Sequence, residues 1–215
     1  NYELKIWGHV MAKYEMATEK PEKMDTDRML QLSNISFAPY IQLSTMLIGK
    51  QRRAGGNMFR HQVDTMGILI DYGYIDSVLL KASVVHDTVE DIEGFDENLI
   101  LNADSDGKDV LSLVLEVTKR PGEKKDEFLK RIITFGSQKA KLLKCADRIS
   151  NMISLGFVTK CDFIERYCDE TEFYILPIAI EVDYNMYQEL IDLVRTRRRY
   201  LEESGYFDKK KKDEV

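Results

Sequence analysis

The chain has 215 residues, 44% of them hydrophobic and 32% charged, with a net charge of −6. That length buries a core in one domain without disulfides or a structural metal. The acidic balance argues against nucleic acid as a partner, because phosphate backbones select basic surfaces, and no apolar run approaches ~18 residues, which argues against a membrane span.

Four prolines and twelve glycines speak against a β-sandwich or a disordered chain. Cys145, Cys161 and Cys168 are odd in number and lack CxxC spacing, so they read as reduced thiols in a cytoplasmic setting. No secretory leader is visible in the opening residues.

The periodicity is helical nearly everywhere, and the expected class is all-α. Residues 1–36 read as a polar, Met-rich helical extension, 37–204 as one domain and 205–215 as a charged, frayed tail. Within the domain, apolar residues at Met58, Phe59, Val63, Met66, Leu69 and Ile70 predict a helix over 58–72. Val78, Leu79, Ala82, Val85 and Val89 predict another over 75–89, capped by Asp76. Further helices are expected over 110–118, 128–135, 138–155, 162–174 and 178–203. The arginines at 195 and 197–199 read as a solvated face. Asn102 to Gly107 partly matches a calcium loop, but Leu113 stands where a bidentate Glu is required, so a turn with a helix cap is favoured.

The chemistry concentrates in His86-Asp87-Thr88-Val89-Glu90-Asp91, a charged string that ends an apolar helix. On a continuous helix Glu90 follows His86 by four and Asp91 follows Asp87 by four, which gathers the polar side chains on one surface. An imidazole with three carboxylates suits a hard metal ion, but the same string also fits an acidic helix end with an incidental His. His61 lies 25 residues earlier in a separate helix, expected to run antiparallel. Asp147, Asn151 and Ser154 form one polar stripe of a later helix, with Leu143, Ile149, Met152 and Ile153 on its opposite side. An aspartate within KLLKCAD is expensive to bury unless a cation pairs with it.

These segments resemble the HD hydrolase domain that degrades the alarmone guanosine tetra- or pentaphosphate, found in stringent-response enzymes and in small alarmone hydrolases. The resemblance covers roughly residues 42–180. It rests on Arg52, Arg53, Ala54, Gly55 and His61, on HDTVED, on Glu116 to Arg120, on ADRISNM, and on Glu170 to Ala179. It implies an all-α HD fold in which His61, His86, Asp87 and Asp147 hold one divalent ion, most often Mn²⁺, while Glu90 and Asp91 handle the attacking water. It implies further that Arg52 packs on guanine, with Asn151 and Ser154 near the nucleoside. Arg53, Lys50 and Lys144 are nearby cations for the extra phosphates.

The implied reaction removes the 3′-pyrophosphate of the alarmone. Alternatives are the same chemistry on another nucleotide, such as NADPH, or alarmone binding without turnover; the Glu90–Asp91 pair favours an enzyme. No synthetase domain is expected, and a homo-oligomer stays open. The chain departs from the family pattern at Gln62, where a Pro usually follows the first His, and at Ala54 and Gly56-Asn57-Met58. These departures spare the ligands and bear on the substrate.

Overall fold

The helical periodicity is realised throughout the computed structural model, which describes residues 26–213. In chain order the helices are α1 (Thr26–Ser33), α2 (Ala38–Ser44), α3 (Met58–Asp71), α4 (Ser77–Val85), α5 (Thr88–Asp91) and α6 (Asn98–Leu101). They continue with α7 (Gly107–Val117), α8 (Lys125–Phe135), α9 (Gln138–Ser154), α10 (Cys161–Glu170), α11 (Leu176–Val182), α12 (Tyr184–Glu203) and α13 (Tyr206–Asp213). Among the described residues there is no strand, only an isolated bridge between Gln51 and Asn57, and no helix long and apolar enough to cross a membrane. Of the expected N-terminal extension, residues 1–25 lie outside the described residues, and 26–33 are helical.

α9 is the central element. Leu142, Leu143, Cys145, Ala146, Ile149 and Met152 are buried on it, and it packs against α3, α7, α11 and α12. The helix is buried almost all round, as expected of a core helix rather than a surface one. Ile153 departs from the expected apolar side: it is about half exposed.

Two predicted helices are broken where polar side chains compete for backbone groups. The helix expected over 75–89 ends at Val85, because His86 Nδ1 bonds to Ser83 O and Thr88 Oγ1 to Val85 O, both 2.7–2.8 Å. Side chains that take the last carbonyls of a helix offer the chain an exit. The helix expected over 178–203 breaks at Asp183, whose backbone is extended and whose Oδ1 accepts the Met186 N–H at 2.8 Å as a new cap.

Charged side chains also take up structural tasks. The calcium-like loop is closed by an internal cation: Lys81 Nζ lies 2.7 Å from both Asp104 Oδ2 and Asp106 Oδ2. Tyr40 OH adds a 2.6 Å bond to Asp104. Gly107 is needed just after it, since a Cβ there would fall 2.4 Å from Leu101 O. The expected solvated arginine face is partly engaged: Arg197 donates to Met152 O and Ile153 O at the end of α9, and Arg198 pairs with Asp169 and Glu172. The expected frayed tail is helical from Tyr206 to Asp213, with Tyr206 OH bonded to Asp162 and Glu165 of α10.

Candidate metal centre and its cavity

Four side chains separated by up to 86 positions meet beside α9. His61 comes from α3, His86 and Asp87 from the break between α4 and α5, and Asp147 from α9. His61 Nε2 stands 3.0 Å from Asp147 Oδ1 and 3.6 Å from Asp87 Oδ2. His86 Nε2 stands 3.4 Å from Asp87 Oδ2 and 3.8 Å from Asp147 Oδ1. Ligand atoms of His61, His86 and Asp147 lie within 4.8 Å of one another, and all three residues are buried.

The outer ring nitrogens are already engaged. His61 Nδ1 is 2.8 Å from Ser150 Oγ, and His86 Nδ1 donates to Ser83 O at 2.8 Å. That arrangement fixes both rings and leaves each Nε2 to face the two carboxylates, the usual support of a metal-binding imidazole. His86 Nε2 is buried and has no hydrogen-bond partner. An orphaned buried nitrogen facing a pair of carboxylates is costly without a cation between them, so these residues fit a divalent ion held by nitrogen and oxygen donors.

The electrostatics agree. Burial alone would raise Asp147, but Lys144, bonded at 2.7 Å, and the two imidazoles hold its carboxyl well below the usual range. Burial would lower His86, yet Asp87, Asp147 and the Ser83 carbonyl push it up to about 9. At His61 burial wins over the same acids and the imidazole is pushed down.

Above the centre lies a cavity of about 560 Å³. Its wall includes Lys50, Arg52, Arg53 and Lys144, together with Glu90 and Asp91. Lys50 Nζ bonds Asp91 Oδ1 at 2.8 Å, and Glu90 Oε2 accepts the Lys119 N–H at 3.2 Å. Every acid of the cavity therefore already faces a basic or N–H group, a neutralised lining that an incoming polyphosphate could re-pair. A larger groove of about 1130 Å³ adjoins it and shares Glu90, Asp91 and Lys119, but its other charges are Glu97, Glu116 and Glu123 against Arg120 alone. That groove carries an acidic excess and suits phosphate poorly, so the smaller cavity is the candidate site.

Arg52 sits in a tight loop where Arg52 N bonds Gly56 O and Gly55 N bonds Arg52 O, with Gly55 at φ 89° and Gly56 at φ 79°. Its guanidinium is fixed by α9: Nη2 donates to Asn151 Oδ1 at 2.7 Å and Nη1 to Ser154 Oγ at 3.1 Å. Asn151 lines the cavity, whereas Ser154 is not part of its wall and stands behind Arg52. The break after Val85 also changes the expected geometry of the acidic string. Glu90 and Asp91 sit on a separate one-turn helix; Asp91 still lies one turn along from Asp87, its N–H bonded to Asp87 O at 2.8 Å.

Several contributors were not legible from spacing. Lys125, Phe128 and Tyr167 complete the wall, and Ser83 and Ser150 orient the imidazoles. Of the departures from the family pattern, Ala54 and Met58 line the cavity, Asn57 caps α3 by accepting the Phe59 N–H at 2.9 Å, and Gln62 touches Asp87.

No protein-family model matches the chain. Over 101 residues, 46% of its length, it is 34% identical to guanosine-3′,5′-bis(diphosphate) 3′-pyrophosphohydrolase MESH1 of Xenopus tropicalis, and the match takes in 55% of that relative. A solved structure described as a metazoan ortholog of SpoT that hydrolyses ppGpp and plays a role in starvation responses superposes with a TM-score of 0.64 at 24% identity, covering 75% of this chain and 94% of that one. In sequence over the matched region, and in its all-helical fold over three quarters of its length, the chain is similar to the ppGpp hydrolases.

Proposed function

We propose that the protein is a metal-dependent phosphohydrolase that removes the 3′-pyrophosphate of guanosine tetra- or pentaphosphate. The observation that carries this reading is the convergence of His61, His86, Asp87 and Asp147 beneath a cavity whose wall carries several Lys and Arg side chains. The similarity to MESH1 and to the SpoT ortholog supports the substrate class.

The four ligands would hold one divalent ion, and an imidazole–carboxylate set suits Mn²⁺. Bound there, the ion supplies Lewis-acid polarisation of a phosphoryl oxygen and acidifies a water. One of Glu90 and Asp91, both on α5 at the cavity wall, receives the proton of the attacking water, and the other orients it. Arg52, its plane fixed by Asn151 and Ser154, covers the guanine, since a guanidinium stacks on aromatic rings. Lys50, Arg53 and Lys144 neutralise phosphate oxygens. The placement is cytoplasmic, in keeping with three unpaired thiols.

The test is turnover of a nucleotide panel after chelation and Mn²⁺ addition. Release of pyrophosphate from guanosine tetraphosphate, faster than from any other member, is the expected result. Faster hydrolysis of NADPH would reassign the substrate and leave the centre standing. Tight alarmone binding without turnover would make the protein a sensor, and no turnover or binding of any member would end the nucleotide reading.

A further inference from the structure

Asp87 is the most exposed of the four proposed ligands, with its side chain 25% accessible, and it sits where the chain leaves one helix for the next. Its carboxylate does not cap α5. Asp147, by contrast, is held by Lys144 and Asn151 on its own helix. Asp87 is held from another element: Gln62 of α3, fully buried, donates from Nε2 to Asp87 Oδ2 at 2.8 Å. The same amide accepts the Asp87 backbone N–H through Oε1 at 3.3 Å.

The two contacts define each other. A backbone N–H can only donate, so the amide oxygen must face it, and the amide NH₂ must then face the carboxylate. Gln62 therefore clamps both the backbone and the side chain of Asp87. It does so one residue after His61, so two ligands are tied through adjacent positions of one rigid helix. The clamp also fixes the first residue of the turn that carries Glu90 and Asp91, whose N–H of Asp91 returns to Asp87 O at 2.8 Å.

We infer that Gln62 is a positioning residue that holds Asp87 in its metal-binding geometry, a role that rests on the metal centre proposed above. Hydrogen bonds to ligating carboxylates set their orientation, and losing such a partner weakens metal affinity by roughly tenfold to a hundredfold. Gln62→Met removes both contacts at nearly constant volume.

Mn²⁺ titration followed by the EPR signal of the free ion compares wild type, Gln62→Met and Asp87→Asn, with each melting temperature recorded in EDTA. The expected result is wild-type binding, a loss of about tenfold or more in Gln62→Met, and a larger loss in Asp87→Asn. The melting temperature of Gln62→Met in EDTA should stay near that of wild type. A folded Gln62→Met that binds Mn²⁺ as tightly as wild type overturns the role. So does a melting temperature that falls with affinity unchanged, since that describes a packing residue only. Absence of Mn²⁺ binding by wild type overturns the metal centre itself, and this role with it. Should Gln62→Met fail to fold, Gln62→Glu keeps the shape and an acceptor for the Asp87 N–H but places a carboxylate oxygen against Oδ2. Its Co²⁺-loaded form must then show a shifted visible spectrum, and an unshifted spectrum overturns the role.

Discussion

At the residue scale, the proposed centre separates side chains that would hold a metal from side chains that would use it. Asp147→Asn keeps the shape of the buried carboxylate but loses its charge, and is expected to abolish Mn²⁺ binding. Glu90→Gln and Asp91→Asn lie on α5, outside the four converging ligands. At least one of them should lose turnover by roughly a hundredfold while retaining Mn²⁺, the behaviour of a lost general base. Parallel metal titrations and rate measurements check the split; wild-type turnover in both would reassign the proton acceptor. Arg52 belongs to a different class, because Asn151 and Ser154 already hold its plane. Arg52→Ala is expected to raise KM for guanosine tetraphosphate about tenfold or more with kcat little changed, the mark of lost uniform binding. Arg52→Lys should rescue little, since one ammonium cannot present the same flat, two-point-anchored face. Steady-state kinetics on the three enzymes decide it.

At the scale of elements, the site depends on how α4 and its C-terminal end are held. Were 75–89 one continuous helix, as its apolar repeat suggests, His86 and Asp87 would point roughly 100° apart around a single axis. Both residues keep helical backbone angles through the break, so the side chains still diverge at their Cβ atoms, and it is their reach that brings His86 Nε2 to 3.4 Å from Asp87 Oδ2. α4 is locked in place one turn earlier by Lys81, whose ammonium bridges Asp104 and Asp106 in the turn before α7. Lys81→Met would leave two partly buried carboxylates facing each other without their cation. A loss of about 2–3 kcal/mol is expected, somewhat under the cost of breaking a fully buried pair because both acids keep some access to water. Urea denaturation with unchanged slope checks this. Added Ca²⁺ should not restore stability, since the loop lacks the bidentate acid such an ion needs.

At the scale of the whole molecule, stability should follow both metal and acid. A ligand that binds only the folded chain stabilises it by about 2.7 kcal/mol at a hundredfold excess over its Kd. For a domain of this size that corresponds to roughly 5–10 °C in melting temperature. Mn²⁺ should therefore raise the melting temperature of wild type by that order, and EDTA should remove the gain; the Asp147→Asn protein should show no response. Acid sensitivity has a second origin away from the centre. Arg131 grips Glu123 through two bonds of 2.7 and 3.0 Å and caps the end of α7 through Glu116 O and Thr118 O. The Arg131 bonds pull the Glu123 carboxyl from an ordinary 4.5 down to about 2, against a smaller opposing effect of burial. A depressed carboxylate stabilises the fold fully above its unfolded value and loses that contribution as pH falls from about 4.5 towards 2. Glu123→Gln should lessen, without abolishing, the fall in melting temperature across that window, since Asp104, Asp106, Asp147 and Glu165 are depressed as well; the comparison is made in EDTA to keep the metal out of it.

Much of the molecule was legible in the sequence because helical burial has a period that residues display directly. The apolar repeats of 58–72 and 138–155 locate α3 and α9 to within a residue or two, and an aspartate among KLLKCAD announces a buried charge in need of a partner. The identity of the candidate ligands was equally accessible, since it depends on residue type and order. What only the tertiary structure decided are the breaks at His86 and Asp183, the cation that closes the 102–107 turn, and the second roles of Arg197 and Gln62. At the two breaks the competing bonds span only three residues, a contact that apolar periodicity does not register; the other three turn on groups far away in the chain. Gln62 is 25 positions from Asp87 and Lys81 is 23 from Asp104, separations at which no local periodicity carries a signal. The sequence by itself determines which groups must be buried; packing α3, α4 and α9 together decides which of them meet.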